Sequence, residues 1–170
     1  MLKKTVVTMF FAVSVATLTR TPMIAQDPQR TQSDEAAVQA VREDIRAHRK
    51  QITAENVTLT PDEATKFWPI YDQYVQETIK INDARWNLLK NYAANYDKMT
   101  DALAAEYMKQ SATTDTQLVA LRERYVPIFE KVVSVQKAAR WYQVDRRLDL
   151  MINLQISGMI PMVNPSNPAK

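Results

Sequence analysis

The side chains able to do chemistry are few in this sequence. Its 170 residues include one histidine, His48, and no cysteine. Nucleophilic catalysis by serine or cysteine needs a base beside the nucleophile, and a single histidine leaves little from which to build such a site. The acidic residues are dispersed, without the pairing that glycosidases use. We therefore expect a protein that is not an enzyme and has no cofactor.

His48 could instead contribute to a metal site. Asp44 lies four residues earlier, so a helix would place both side chains on one face. Two ligands are fewer than a zinc site requires. His48 also falls on the apolar side of its predicted helix, where a packed or interfacial histidine is expected, and Asp44 is equally well explained as a surface acid beside Arg49 and Lys50. His48 and Asp44 are thus weak metal candidates, and we predict no metal site.

Aromatic side chains are the remaining candidates for a binding surface. The chain has 3 tryptophans and 7 tyrosines, more than four thin helices easily bury, so some should line a surface or an oligomer seam. Three methionines near the C-terminus, Met151, Met159 and Met162, fit core filling or an adaptable binding surface better than a soft-metal site. Core packing is the alternative for each aromatic residue. The residues predicted to bind clients or partners are Trp68, Tyr71, Trp86, Tyr125, Trp141 and Tyr142.

The N-terminus has the layout of a secretory signal peptide. Lys3 and Lys4 precede an apolar run at residues 5–18, which is too short to span a bilayer comfortably. An uncleaved membrane anchor, the alternative, would need a longer run. We expect residues 1–26 to be removed and the mature protein, with no membrane span, to reside in the periplasm.

Charge does not point to a nucleic-acid partner. The chain has 22 basic and 19 acidic residues, but three basic residues and no acidic one fall within residues 1–26, so the mature part has 19 of each. A neutral chain lacks the positive field that nucleic-acid binding requires. Arginines in the C-terminal half alternate with acidic residues, which predicts a solvated, salt-bridged face. Its predicted members are Arg122, Arg124, Arg140, Arg146, Arg147, Glu123, Glu130, Asp145 and Asp149.

An all-α fold must position these residues. The chain has one glycine, whereas hairpins and phosphate-binding loops depend on glycine turns. We predict a single helical domain at residues 34–160, after a flexible lead-in at 27–33 and before a disordered tail at 161–170. The polar segment 109–117 is left open as helix or break. The four helices are expected at about residues 34–53, 61–97, 100–132 and 136–157.

Helix starts are marked by capping residues. Ser33, Thr60, Thr100 and Ser134 each precede a helical pattern, and their side chains can accept a hydrogen bond from a free backbone N–H group. Glu63, three residues after Thr60, completes a capping box.

Two prolines fall inside predicted helices. FWPIYDQYV at 67–75 and YVPIFEKVV at 125–133 share a local pattern around Pro69 and Pro127. An interior proline costs roughly 3 kcal/mol and usually kinks a helix. The apolar positions keep helical register across both, so we predict long helices that continue but bend. The bends would give a thin, curved helical layer with a concave side; alternatively, they let long helices wrap a compact core.

Two short motifs resemble the Spy/CpxP-type periplasmic proteins, a family of small exported helical proteins with a Leu-Thr-x-x-Gln motif at helix starts. LTPDE at 59–63 supplies Leu59 and Thr60, with Glu63 where glutamine is usual, and VSVQKAARWYQVDRRL at 133–148 supplies Gln136. The resemblance implies a curved helical fold, commonly an antiparallel dimer. Family members include ATP-independent chaperones, envelope-stress modulators and metal-responsive sensors.

The sequence as a whole predicts a non-catalytic binding protein. We expect a periplasmic homodimer with a chaperone or envelope-stress role, which binds unfolded or partly folded envelope proteins. The alternatives are a metal-responsive periplasmic regulator and a purely structural helical protein of the envelope.

Overall fold

The structure, a computed structural model, describes residues 28–164 and is built from four helices. They are α1 (Pro28–Asn56), α2 (Pro61–Ala94), α3 (Asp101–Glu130) and α4 (Val135–Met159), with a short 3-10 turn at Tyr96–Lys98. The described residues form no strand, so the all-α, four-helix prediction is confirmed. None of these helices combines the length and apolar character needed to cross a membrane. The predicted signal peptide and residues 165–170 lie outside the described part of the chain.

Three of the four helices, α2, α3 and α4, start where the capping residues predict, whereas α1 begins at Pro28 and the predicted cap at Ser33 is wrong. The Thr60 hydroxyl accepts a hydrogen bond from the Glu63 backbone N–H at 3.3 Å, and the Glu63 carboxylate accepts one from the Thr60 N–H at 2.8 Å. The Thr100 and Ser134 hydroxyls cap α3 and α4 by accepting hydrogen bonds from the backbone N–H groups of Leu103 and Lys137, without the reciprocal bond of a capping box. The predicted capping box is confirmed, and these caps hold the first turns that orient α2, α3 and α4.

Two segments are more helical than the sequence suggested. The predicted flexible lead-in is wrong for residues 28–33, which belong to α1, because Pro28 suits a first helical turn and needs no N–H partner there. The segment 109–117 lies within α3. Its threonine hydroxyls Thr113 and Thr116 each donate to the carbonyl four residues earlier at 2.8 Å, so their polar groups are satisfied within the helix.

The helices pack in pairs around one core. α1 lies along α4, α2 along α3, and α3 also contacts α4. Pairings such as Phe67 with Phe129 and Tyr92 with Tyr107 show that α2 and α3 run antiparallel. Trp141 of α4 completes the centre, with its ring centroid 4.0 Å from that of Phe129. The core residues are Val57, Phe67, Tyr71, Tyr74, Leu121, Tyr125, Phe129, Val133, Ala138 and Trp141.

Both interior prolines lie within continuous helices. α2 runs through Pro69 and α3 through Pro127, which confirms that neither proline starts a new helix. Both rings are exposed. An exposed position suits proline, because water can reach the carbonyl that loses its partner four residues earlier.

The first residues after α4 are held against α2 and the 3-10 turn that follows it. The Tyr92 hydroxyl donates to the Pro161 carbonyl at 2.7 Å, and the Tyr96 hydroxyl donates to the Met162 carbonyl at 3.0 Å. The prediction of a disordered tail from 161 onward is therefore wrong for these first residues, because two phenols supply donors to backbone that leaves the helix.

Candidate functional site

A buried ionic network joins all four helices. Asp145 of α4 is only 2% exposed and forms an ion pair with Arg49 of α1. Its Oδ2 atom accepts from Nε of Arg122 on α3 at 2.9 Å and from the Tyr74 hydroxyl on α2 at 2.6 Å. Asp149, one turn later, lies 3.0 Å from Arg122. We call Arg49, Tyr74, Arg122, Asp145 and Asp149 the buried ionic network.

The network holds its carboxylate in the charged form. Burial alone raises the pKa of Asp145, but the positive charge of Arg49 and the hydrogen bonds from Tyr74 and Arg122 outweigh burial and lower this pKa below its usual value. Burial and the neighbouring Asp145 carboxylate both raise the pKa of Tyr74. A carboxylate with a lowered pKa is a poor proton acceptor at neutral pH. The network is therefore suited to holding the helices in register.

The predicted solvated face is wrong for three of its members. Arg122, Asp145 and Asp149 are buried, whereas Arg124, Arg140 and Arg147 are exposed. Charged residues can enter a core when they are paired and hydrogen-bonded, and here the partner Arg49 comes from a helix nearly a hundred residues away in sequence.

The weak metal candidates lie together on the outside of α1. Nδ1 of His48 is 3.1 Å from the Asp44 carboxylate, and His48 is 54% exposed. The expectation of a packed histidine is wrong, because Arg49 takes the inward position on this turn. No group of three ligating side chains that could hold a metal ion occurs within residues 28–164 as described.

The six predicted aromatic binding residues separate into two groups. Tyr71, Tyr125 and Trp141 are buried in the core, so the prediction that they bind clients is corrected. The rings of Tyr125 and Trp141 pack against rings from neighbouring helices, and that of Tyr71 packs against rings of its own helix. Trp68 and Trp86 are partly buried beneath the cations of Lys50 and Arg42. Tyr142 is 40% exposed and is the one of the six that is not buried or partly buried.

Apolar side chains continue from Tyr142 along the outward side of α4. Leu150, Met151 and Leu154 are 53%, 58% and 77% exposed. Leu150 and Leu154 lie on the side of the helix opposite Trp141 and Leu148, and Tyr142 and Met151 lie on the two flanks of that side. Together they form what we call the α4 surface: Tyr142, Leu150, Met151 and Leu154.

This surface was only partly visible in the sequence. Tyr142 and Met151 were considered as binding residues, whereas Leu150 and Leu154 were not. The signal that could have found them is a surplus of apolar residues: Trp141, Val144 and Leu148 already fill the inward stripe of α4, so further apolar residues out of phase with it must face outward.

Comparison with known proteins found no family model, curated protein or solved structure that matches this chain. The resemblance to the Spy/CpxP-type proteins therefore stays a prediction from short motifs. Among the motif residues, Leu59 packs against the core, and Thr60 and Glu63 form the cap of α2. Gln136 is exposed.

The two motif regions are connected directly. The Lys137 ammonium group donates to the Glu63 carboxylate at 2.6 Å. This hydrogen bond and those from Thr60 lower the pKa of Glu63. Glu63 thus connects the start of α2 to the start of α4 through an ion pair with Lys137. Glutamine, the usual residue of the motif at this position, has no charge and could not form that ion pair.

Proposed function

We propose that the protein binds partly folded proteins of the cell envelope, without catalysis, through the α4 surface. The observation that carries the proposal is the exposure of Leu150, Met151 and Leu154 next to one another on a single helix. Clustered exposed apolar side chains are typical of protein-binding surfaces, whereas single ones are common on any protein.

The chemistry of the α4 surface favours flexible protein partners. Leucine and methionine side chains adapt to varied apolar sequences, and Tyr142 adds an amphipathic ring. Arg146 lies one turn before Leu150, and Arg147 one turn before Met151; the side chain of Arg146 is partly exposed and Arg147 is exposed. These cations would favour client segments in which acidic residues stand beside apolar ones.

A chaperone assay with a triple variant tests this proposal. We expect the wild-type chain to reduce light scattering by aggregating reduced α-lactalbumin, and Leu150→Gln/Met151→Gln/Leu154→Gln to require roughly tenfold more protein for equal protection, equivalent to ~1.4 kcal/mol of lost binding. Glutamine keeps the helix propensity while removing the apolar contacts.

The matched control carries the same change on α3. Leu103, Met108 and Val119 are also exposed, and their triple glutamine variant should protect as wild type does. Absence of protection by the wild type, or equal loss in both variants, contradicts the proposal. A halved solution mass of the α4 variant alone would identify the α4 surface as a subunit interface instead.

The proposal includes an overall shape and an oligomeric state. The family resemblance implies an antiparallel dimer, and the interior positions of Pro69 and Pro127 support bends that curve the helical layer. We expect small-angle scattering with static light scattering to give twice the mass of one mature chain and a curved envelope. A single-chain mass would refute the dimer.

The predicted export of the chain supports a role in binding envelope proteins. The predicted signal peptide at residues 1–26 would deliver the chain to the periplasm, where client proteins are still partly folded. The metal-responsive alternative is supported only by the pair of His48 and Asp44. The purely structural alternative predicts no protection of a client in the chaperone assay.

A further inference from the structure

The α4 surface contains a side chain that a chemical modification can convert from apolar to polar. Met151 is 58% exposed, and it lies beside Leu150 and three residues before Leu154, which are exposed as well. A methionine thioether is apolar, but a peroxide can oxidise its sulfur to a polar sulfoxide. The α4 surface therefore includes an accessible atom at which its apolar character can be changed after folding.

All the sulfur of this chain belongs to methionine. The 170 residues include 8 methionines and no cysteine, and Met1, Met9 and Met23 belong to the predicted signal peptide. Cysteine thiolates are the usual sites at which oxidants act on proteins. Their absence from the sequence leaves methionine as the residue at which sulfur oxidation can act on the mature chain.

The exposed methionines differ in their surroundings. Met108 on α3 is 64% exposed, and Met162, after the end of α4, is 89% exposed. The residues one helical turn from Met108 are alanines and a serine, and neither Met108 nor Met162 belongs to the α4 surface. Oxidation at Met151 would thus change the α4 surface, whereas the same reaction at the other two provides an internal comparison.

Oxidation of Met151 would add a strong hydrogen-bond acceptor to the α4 surface. The sulfur lone pair attacks one oxygen of the peroxide, the O–O bond breaks, and the attacked oxygen stays on sulfur while the other leaves with both hydrogens as water. Sulfur is oxidised by two electrons and the peroxide is reduced by two. An apolar client segment that covers the sulfoxide must remove water from its oxygen, which carries a cost that the thioether does not have.

Arg147 provides a hydrogen-bond donor for the added oxygen. It precedes Met151 by four residues and is exposed, and side chains four residues apart are neighbours on a helix. The Arg147 guanidinium can donate to a sulfoxide oxygen, which makes it less available to the acidic groups of a client. Oxidation would therefore weaken both the apolar and the cationic part of client binding.

From this combination we propose that Met151 is a regulatory oxidation site, at which a peroxide converts the thioether to a sulfoxide and so releases clients from the α4 surface until a reductant restores the thioether. The effect on clients rests on the proposed function of the α4 surface, whereas the reaction of Met151 with a peroxide does not.

Treatment of the full mature chain with hydrogen peroxide, followed by peptide mass spectrometry, tests the modification itself. We expect Met151 to gain one oxygen about as fast as Met108, because the two side chains are similarly exposed. The urea midpoint should not change, since the modified sulfur belongs to a surface side chain. The proposal is overturned if Met151 stays unmodified while Met108 is converted, or if oxidation lowers the midpoint of the wild type but not that of Met151→Leu.

The chaperone assay tests the consequence for clients. After the peroxide has been removed, the oxidised wild type should require roughly fivefold or more protein than the untreated chain for equal protection of reduced α-lactalbumin. Met151→Leu keeps an apolar side chain without sulfur, so its protection should be the same before and after treatment. Methionine sulfoxide reductases for both sulfoxide epimers, supplied with dithiothreitol, should restore the protection by the wild type. An equal loss in Met151→Leu, or no recovery after reduction, would refute the assignment.

A matched variant keeps Met151 and removes the other exposed sulfur atoms. Met108→Leu/Met162→Leu should lose protection on oxidation as the wild type does, and insensitivity of this variant to peroxide would place the responsive sulfur outside the α4 surface. Protection that survives oxidation of the wild type would refute the regulation alone. Absence of protection by the untreated wild type would refute the proposed function and this regulation with it.

Discussion

Replacing Asp145 with asparagine should destabilise the protein by about 3–5 kcal/mol, the typical effect of removing one partner from a buried ion pair. Asparagine has nearly the same shape, so the loss reflects charge rather than volume. It leaves Arg49 and Arg122, both buried, with Asp149 as the only carboxylate in the buried ionic network. The free energy of unfolding from urea titrations followed by circular dichroism measures the effect.

The matched control is an exposed ion pair made by the same kind of carboxylate. Asp72 accepts from Lys50 at 2.8 Å, and both side chains are more than half exposed. Asp72→Asn should change the free energy of unfolding by only about 0–1 kcal/mol, because water competes for exposed charges. Similar losses for the two variants would show that Asp145 is not held in a buried pair.

The Asp145 carboxylate should make the free energy of unfolding depend on pH in the acid range. Because the pKa of Asp145 is lowered on folding, the unfolded state takes up its proton at higher pH than the folded state does. Its stabilising contribution is therefore complete above the unfolded value of about 3.9 and is lost as the pH falls through the lower, folded value. Between pH 5 and 2 the wild type should lose more stability than Asp145→Asn, and parallel curves would contradict this assignment.

Local features of the chain made the helices predictable. The capping box at Thr60 and Glu63 depends on residues three apart, and Thr100 and Ser134 act over the same short range. The scarcity of glycine excluded hairpins for an equally local reason. Sequence alone placed the helix that contains Pro69 because apolar spacing reports helical phase directly.

The inner face of α1 was not predictable in the same way. Its buried residues are Arg42, Arg49, Thr53 and, just after the helix, Val57, whereas the sequence interpretation placed His48 on that side. A charged residue is normally taken as exposed. Only the distant partner Asp145 makes burial of Arg49 favourable, and no local pattern reports a contact across that separation.

The candidate binding surfaces were missed for a related reason. Aromatic residues suggest a binding surface only when the core has no room for them, and here rings from three helices fill the core together. Room in the core depends on how the helices pair, which spacing within one helix does not specify.

Two neighbouring aromatic residues on α4 provide the sharpest test of this division between core and surface. Trp141 is fully buried, with its ring 4.0 Å from that of Phe129 and 5.0 Å from that of Tyr74. Tyr142 is the next residue and is exposed. Trp141→Ala should reduce the free energy of unfolding by about 3–5 kcal/mol, because it removes a large buried side chain and leaves a cavity between three helices.

Tyr142→Ala serves as the matched control, since it removes from the same helix an aromatic ring that is 40% exposed rather than fully buried. Its expected effect on stability is within about 0.5 kcal/mol, while protection of a client should weaken because the α4 surface loses its ring. The two substitutions should thus have opposite effects: Trp141→Ala should lower stability, and Tyr142→Ala should weaken client binding. If Trp141→Ala kept wild-type stability in urea yet failed to protect a client, the core assigned to these rings would be wrong and the ring of Trp141 would belong to the binding surface.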